Sequence, residues 1–318
     1  MILKHPEAEL TALVDTKNYS ELGLETQGIP FFNDLDAFLK SDIETDVVNI
    51  ATPNGLHAPQ ALACLGAQKH IVIEKPMTLI KSDAGKIIDK ALSVNKNVFV
   101  VMQNRYSPPS VWIKSVIEKK VLGKIFLVQI NCYWNRDERY YTPNSWHGKK
   151  DLDGGTLFTQ FSHFIDIMYW LFGDITNINA RFKNLNHTSL TEFEDTGIIH
   201  FDFVNGGMGC LNFSTAVWDK NLESSMTIIA ENGSVKIGGQ YMDKVEYCHI
   251  KNYTMPDLLP TNPVNNYGGY KGSAQNHNFV IDNVINVLKG RDTITVNALE
   301  GMKTVDLIER MYAAKLSN

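Results

Sequence analysis

Cysteine is scarce in this chain. Cys64, Cys132, Cys210 and Cys248 are far apart and form no C-x-x-C pair. Four are too few to staple 318 residues, so reduced thiols in a cytoplasmic protein are the expectation. Long apolar runs are absent too. The most apolar stretch, Leu157 to Phe172, is interrupted by Gln160, His163 and Asp166, and falls short of the ~18 uninterrupted residues of a membrane span. The opening Met1-Ile2-Leu3-Lys4-His5-Pro6 lacks the charged and apolar regions of a signal peptide. A soluble protein with no membrane partner is expected. Positive charge is not in excess: 30 Lys and Arg face 35 Asp and Glu, a net charge of −5. That argues against a nucleic-acid partner. Neither H-E-x-x-H nor G-x-S-x-G occurs, and no metal site is expected.

What is present is globular. Hydrophobic residues make up 44% of the chain, enough to exclude wholesale disorder. Short apolar runs at Leu10 to Val14, Asp46 to Ala51, His70 to Ile73 and Asn97 to Met102 alternate with helical patterns at Asp34 to Lys40, Leu56 to Leu65 and Lys81 to Ser93. Such alternation implies βαβ units and a doubly wound parallel sheet. Beyond Ser107-Pro108-Pro109 a helix to about Lys120 is expected, then alternating strands at Lys124 to Tyr133, Gly197 to Phe203, Met208 to Thr215, Met226 to Ala230 and Ser234 to Ile237. Asn205-Gly206 and Asn232-Gly233 mark hairpins. Residues 252–272 read as a long loop, and helices at Gln275 to Lys289 and Ala298 to Ala314 close the chain. The expected architecture is a Rossmann-type α/β domain over 1–105, followed by an α+β domain with an open, mainly antiparallel sheet over 106–318.

Asp15 ends what reads as the second strand of a dinucleotide fold, where an acid can bind the adenosine ribose; a turn or cap role explains it equally well. The G-x-G-x-x-G turn of such a fold should lie ~20 residues upstream, yet none of the fourteen residues before Asp15 is Gly. The first strand and its phosphate loop are therefore expected to be missing, with Met1 an internal methionine and Met1 to Glu7 the end of the first helix.

Three segments carry chemistry. Glu74-Lys75-Pro76 follows the strand HIVI, at the strand end where open sheets bind ligands. A partly desolvated lysine there can move protons; a surface ion pair before a turn proline is the alternative. Thr52-Pro53-Asn54 leaves another strand end towards the same crevice. Asp153-Gly154-Gly155 precedes one expected helix from Thr156 to Phe172, stopped by Gly173. Its apolar stripe is Leu157, Phe161, Ile165, Met168 and Phe172, with Thr156, Thr159, His163 and Asp166 on another face. The Gly pair would allow a ligand close to the backbone. Between 135 and 150, cations are mixed with Tyr and Trp, suited to carboxylate or diphosphate recognition and stacking.

In combination, ATPNGLHAPQALACLGAQKHIVIEKPMTL, MQNRYSP, DGGTLFTQFSHFIDIMYWLFG and LEGMKTVDLIERMYAAK resemble the Gfo/Idh/MocA family of nicotinamide-dependent oxidoreductases. The resemblance implies hydride transfer between NAD(P) and a sugar or polyol hydroxyl. It implies Lys75 and His163 as the catalytic pair, and Asp15, Thr52, Pro53, Asn54, His57, Glu74, Lys75, Asn104 and Arg105 on the cofactor side. Arg136, Tyr141, Trp146, Thr159, His163 and His277 are then the substrate contacts, with the other cations of 136–150 as further candidates. Thr159 stands where the family pattern has Asp, so the carboxylate partner of His163 is expected to be absent, with Lys75 sharing the proton work. NRDERYYTPNSWHGKKDLDGG resembles the WlbA-like enzymes, which oxidise C3 of UDP-N-acetyl-glucosaminuronic acid for surface polysaccharide. Asp15 favours NAD over NADP, and a homodimer or homotetramer is implied. An inositol or free-sugar dehydrogenase, and a non-catalytic binding member, remain open as other readings.

Overall fold

The computed structural model describes residues 1–23 and 28–316. The first part of the chain runs β1 (Leu13–Val14), β2 (Phe31–Phe32), α1 (Leu35–Leu39), β3 (Val47–Ile50), α2 (His57–Gly66), β4 (His70–Ile73), α3 (Lys81–Ser93) and β5 (Val98–Val100). All its strand pairs are parallel. Asp34 caps α1 by accepting from Ala37 N at 2.7 Å, as its residue type predicts.

The parallel strands do not form one sheet. β1-β2 stands apart from β3-β4-β5, and no strand among the described residues runs between them. The interruption falls where the sequence places the first strand of the fold. The hydroxyls of Thr11 and Thr45 meet across it at 2.8 Å. The expected helix end at Met1 to Glu7 is a single 3-10 turn, Ile2–Lys4.

β4 is apolar on both faces because both are covered. Ile71 and Ile73 pack with Ala61, Leu65, Ala84 and Ile87 of α2 and α3. Val72 points the other way, towards Phe99, Val101, Val280 and Val284.

The second part runs α4 (Pro108–Glu118), β6 (Ile125–Tyr133), α5 (Thr156–Thr159), α6 (Ser162–Phe172), β7 (Ile175–Lys183), β8 (Thr196–Phe203), β9 (Met208–Ser214), β10 (Glu223–Ala230), β11 (Gly233–Gly238), β12 (Lys244–Ile250), β13 (Val264–Asn266), β14 (Lys271–Ala274), α7 (His277–Leu288) and α8 (Ala298–Ala313). Seven strands form one sheet in the order β12-β11-β10-β6-β9-β8-β7, antiparallel except for β6 against β9. Its inner face, with Val128, Ile130, Leu211 and Phe213, packs on α6 and α8 through Phe164, Ile308 and Met311, and on Phe161 just before α6.

Two expectations give way here. Residues 252–272 are not all loop, since β13 and the start of β14 form a small hairpin. The expected helix from Thr156 to Phe172 is two helices broken at Gln160 and Phe161, and Gly173 at φ 83° ends the second. The break frees a carbonyl that the site uses. Helices α7 and α8 return to the first domain: Val100 N bonds Val296 O at 3.0 Å, and Gly301 lies against Val100 and Met77. No described helix is long and apolar enough to cross a membrane.

Candidate active site

The main cleft lies at the carboxyl ends of β3 and β4, where the second domain closes over them. Ala51, Thr52 and Asn54 line it from β3, Glu74 and Lys75 from β4, and Gln103 from the turn after β5. The second domain contributes Trp134, Arg136, Tyr140, Trp146, His147, Thr159, Gln160, His163, Tyr267, Tyr270, Ser273 and His277.

Lys75 leaves β4 over the cleft floor. Its Nζ donates to Thr159 O at 2.6 Å, the carbonyl left free by the break between α5 and α6. Burial pushes the Lys75 ammonium down from its ordinary value and Arg136 adds to this, while Glu74 and Asp153 oppose it. Beside it, the Glu74 carboxylate is 3.4 Å from His277 Nε2. Burial raises that carboxyl, but His277 and Lys75 outweigh it, and the net shift is down.

His163 opens α6 with its ring in the cleft wall. It is 2% exposed, and its Nδ1 has no hydrogen-bond partner. Burial first, and Lys75 second, hold it well below the ordinary imidazole range. It is therefore a neutral ring at physiological pH.

Arg136 is carried in by the pleat. Trp134 and Arg136 continue the inward face of β6, and Arg136 N extends the ladder to Thr215 O at 2.9 Å. Arg136 is 2% exposed, and its guanidinium is enclosed by rings. It lies 4.8 Å from the Trp134 ring centroid, 5.1 Å from Tyr140 and 5.2 Å from Tyr270. Its donors reach only neutral oxygens: Gln160 Oε1 at 2.7 Å, Asn135 O at 2.6 Å, Asn221 Oδ1 at 3.3 Å and Lys271 O at 3.1 Å. Among the described residues it has no carboxylate partner.

The structure corrects several assignments made from sequence. Arg105 does not face the cleft. Its Nε and one terminal nitrogen clamp Asp166 at 2.8 and 2.7 Å, and the other reaches Glu300 at 2.6 Å. That also removes Asp166 from the polar site face, and Thr156 bonds Glu194 O instead. His57 lies beneath the cleft, its ring nitrogens 2.8 Å from Pro76 O and 2.9 Å from Thr52 O. It holds the two strand-end turns together, whereas Pro53 contributes only backbone: its carbonyl accepts from Leu56 N. Asp15 keeps its expected place directly after β1, where its carboxylate accepts from Lys17 N at 2.8 Å.

Tyr141 is buried outside the cleft, and its neighbour Tyr140 occupies the wall. Asn104 is buried behind Gln103, with its Nδ2 3.5 Å from Ser273 Oγ. Arg139 pairs with Asp137 and Asp219, and Lys149 and Lys150 are exposed. A Cβ at Gly154 would strike Leu79, and one at Gly155 would strike Tyr312. The pair thus serves packing, not close approach to a ligand. Thr52, Asn54, Glu74, Lys75, Arg136, Trp146, Thr159, His163 and His277 all line the cleft as expected.

An acid does lie beside Thr159, though not against His163, whose Nδ1 has no hydrogen-bond partner. Asp153, on the turn before α5, accepts from Gly148 N at 2.7 Å and from the Thr159 hydroxyl. Thr159 Oγ1 in turn accepts from Asn54 Nδ2 at 2.7 Å. Sequence spacing hides this contact, because it depends on the turn at Gly154 and Gly155. His147, also missed, stacks on Trp146 with ring centroids 4.0 Å apart.

Comparison with known proteins identifies the scaffold. Residues 1–102 match the oxidoreductase family with an NAD-binding Rossmann fold, and 111–236 match the GFO/IDH/MocA C-terminal domain. The chain belongs to the Gfo/Idh/MocA family. It is similar to the WlbA dehydrogenase of Bordetella pertussis, whose crystal structure contains NADH and UDP-GlcNAcA. The identity is 30%, the TM-score 0.83, and the match covers 96% of this chain and 88% of that one. An inositol 2-dehydrogenase of Rubrobacter xylanophilus is 24% identical over 240 residues, 73% of this chain and 64% of its own length. An uncharacterised oxidoreductase of Synechocystis is 26% identical over 231 residues, 69% of this chain. The match spans 60% of the length of that oxidoreductase.

The first domain is thus the NAD-binding Rossmann domain of a Gfo/Idh/MocA protein. The cleft fits the nicotinamide end of that cofactor. Gln103, in the cleft wall after β5, has its Oε1 buried without a hydrogen-bond partner, an orphaned acceptor of the kind that a nicotinamide nucleoside's donors would satisfy.

Proposed function

We propose that the protein is an NAD-dependent dehydrogenase that oxidises a secondary hydroxyl of an acidic sugar, C3 of a UDP-linked N-acetyl hexuronic acid. The observation that carries this reading is Arg136. A guanidinium buried among three rings with only neutral acceptors lacks a counter-charge, and a carboxylate entering the cleft supplies it. The similarity to the WlbA dehydrogenase supports the same substrate class.

When bound, the nicotinamide supplies the hydride acceptor. The chain supplies the rest. The Lys75 ammonium donates to the reacting hydroxyl oxygen and stabilises the charge that develops there. A ring nitrogen of the neutral His163 takes the hydroxyl proton as the carbon gives up its hydride. His277 and Glu74 border the same wall, Trp146 offers a stacking face, and Thr52 and Asn54 hold polar atoms at the β3 end. Asp15, at the end of β1, is proposed to take the adenosine ribose hydroxyls, which favours NAD over NADP.

A free polyol is the second reading, favoured by the similarity to inositol 2-dehydrogenase. NADH formation separates the two when UDP-N-acetyl-glucosaminuronic acid, neutral UDP-N-acetylglucosamine and inositol are compared. The acid alone is expected to turn over. Arg136→Met should raise its KM at least about tenfold while kcat moves less, as loss of a charged hydrogen bond requires. Equal turnover of inositol, or an unchanged KM, would overturn the assignment. No turnover of any sugar would leave the family's non-catalytic reading.

A further inference from the structure

Asp153 is a buried acid that the hydride transfer itself does not use. It is 1% exposed and sits at one end of a continuous chain of contacts. Its carboxylate accepts from the Thr159 hydroxyl. Asn54 Nδ2 donates to that hydroxyl at 2.7 Å and to Asp153 O at 2.8 Å. The carbonyl of the same Thr159 accepts from Lys75 Nζ at 2.6 Å. Side chain and backbone of one residue thus join the acid to the lysine.

We propose that Asp153 is the positioning residue for Lys75: through Thr159 it fixes the carbonyl that aims the ammonium, and it sets a negative charge in the same enclosed wall. The role in turnover rests on the dehydrogenase reading above, while the link to Lys75 does not.

The balance of charge around Lys75 explains the need. Arg136, His147 and His163 face it as positive or neutral groups, and Glu74 and Asp153 as acids; Tyr140 and Tyr141 border Asp153. Glu74 is the stronger of the two on Lys75, but it is shared with His277 and its side chain is 29% exposed. Asp153 is the enclosed acid, and an enclosed charge acts through a low dielectric. Thr159 takes the place of a family acid and passes on the position of one that lies six residues upstream. A neutral hydroxyl at that point keeps a second carboxylate out of contact with Asp153, where two would repel.

The test is an NMR titration of the free protein labelled with carbon-13 at lysine Cε. The Lys75 signal is the one absent from Lys75→Arg. In Asp153→Asn its pKa is expected to fall by about one unit, the usual size for loss of a nearby opposite charge. The alkaline limb of kcat/KM should fall by the same amount. Thr159→Val keeps both charges but removes the hydroxyl link; it should lower kcat about tenfold through misplacement and leave the Lys75 pKa nearer the parent value. Thr159→Ser should restore the parent rate. An unmoved Lys75 in Asp153→Asn overturns the proposal. Should that variant not fold, an unchanged kcat in Thr159→Val overturns it instead. Because the titration needs no sugar, failure of the substrate reading leaves this result standing, and acid-sugar turnover with an unmoved Lys75 refutes this proposal alone.

Discussion

At Asp153 the protein keeps a carboxyl out of reach of water, and burial pushes it up to about 6 despite the donors from Thr159 and Gly148. The unfolded chain has no such burial, so its carboxyl ionises near the ordinary 3.8. A folded value above the unfolded one means that the group's contribution to stability is fully present below pH 3.8 and is lost as pH rises through about 6. A shift of this size corresponds to about 3 kcal/mol. Asp153→Asn removes the titration. The stability difference between variant and parent, measured by urea unfolding, should therefore move in favour of the variant by up to about 3 kcal/mol between pH 4 and pH 8. Any constant loss from altered hydrogen bonds drops out of that slope. A pH-independent difference would show that Asp153 does not ionise as described. The molecule gives up stability at neutral pH to hold a charge beside Lys75, as functional sites commonly do.

At the scale of elements, Arg105 ties the first domain to two helices of the second. It leaves the turn after β5, clamps Asp166 of α6 with two hydrogen bonds, and reaches Glu300 of α8. The side chains of Arg105 and Asp166 are each 1% exposed. Removing one partner strands the other charge in the interior. Arg105→Met should therefore cost about 3–5 kcal/mol in urea unfolding, and adding Asp166→Leu should recover part of that loss. A cost below about 1 kcal/mol, the range of an exposed pair, would contradict a buried clamp.

How far sequence reached depends on the kind of element. His70–Ile73 and Lys81–Ser93 carry full apolar runs or stripes, and their bounds come out unchanged. Ile175–Lys183 and Lys244–Ile250 were not foreseen. They lie at the two edges of the large sheet, where polar residues replace the apolar alternation that marks an inner strand. The α5–α6 break was equally hidden. Its apolar stripe continues through Phe161, so the pattern does not mark the stop at which the Thr159 carbonyl is left to accept from Lys75.

Over the whole molecule, the cleft exists because three stretches remote in sequence converge on two strand ends. The chain crosses from the first domain at Arg105, builds the large sheet, and returns through α7 and α8. His277 thereby comes to face Glu74, and the Tyr267–Tyr270 turn to face Arg136. The motifs alone placed Lys75, Arg136 and His163 together. They could not show that Tyr140 and not Tyr141 forms the wall, since 135–150 is irregular and has no period from which a side chain's direction could be read. Nor could they supply the cage around Arg136, which needs Trp134, Tyr140 and Tyr270 from three separate places. In the proposed reading, that cage receives the carboxylate of an acidic sugar. The account is tested most directly with UDP-N-acetyl-glucosaminuronic acid carrying deuterium at C3. Incubated with NAD and the protein, it should yield reduced cofactor that carries the deuterium, at a rate slower than with the unlabelled sugar. Deuterium retained in the sugar while NADH forms would contradict the account, because the hydride would then come from another carbon.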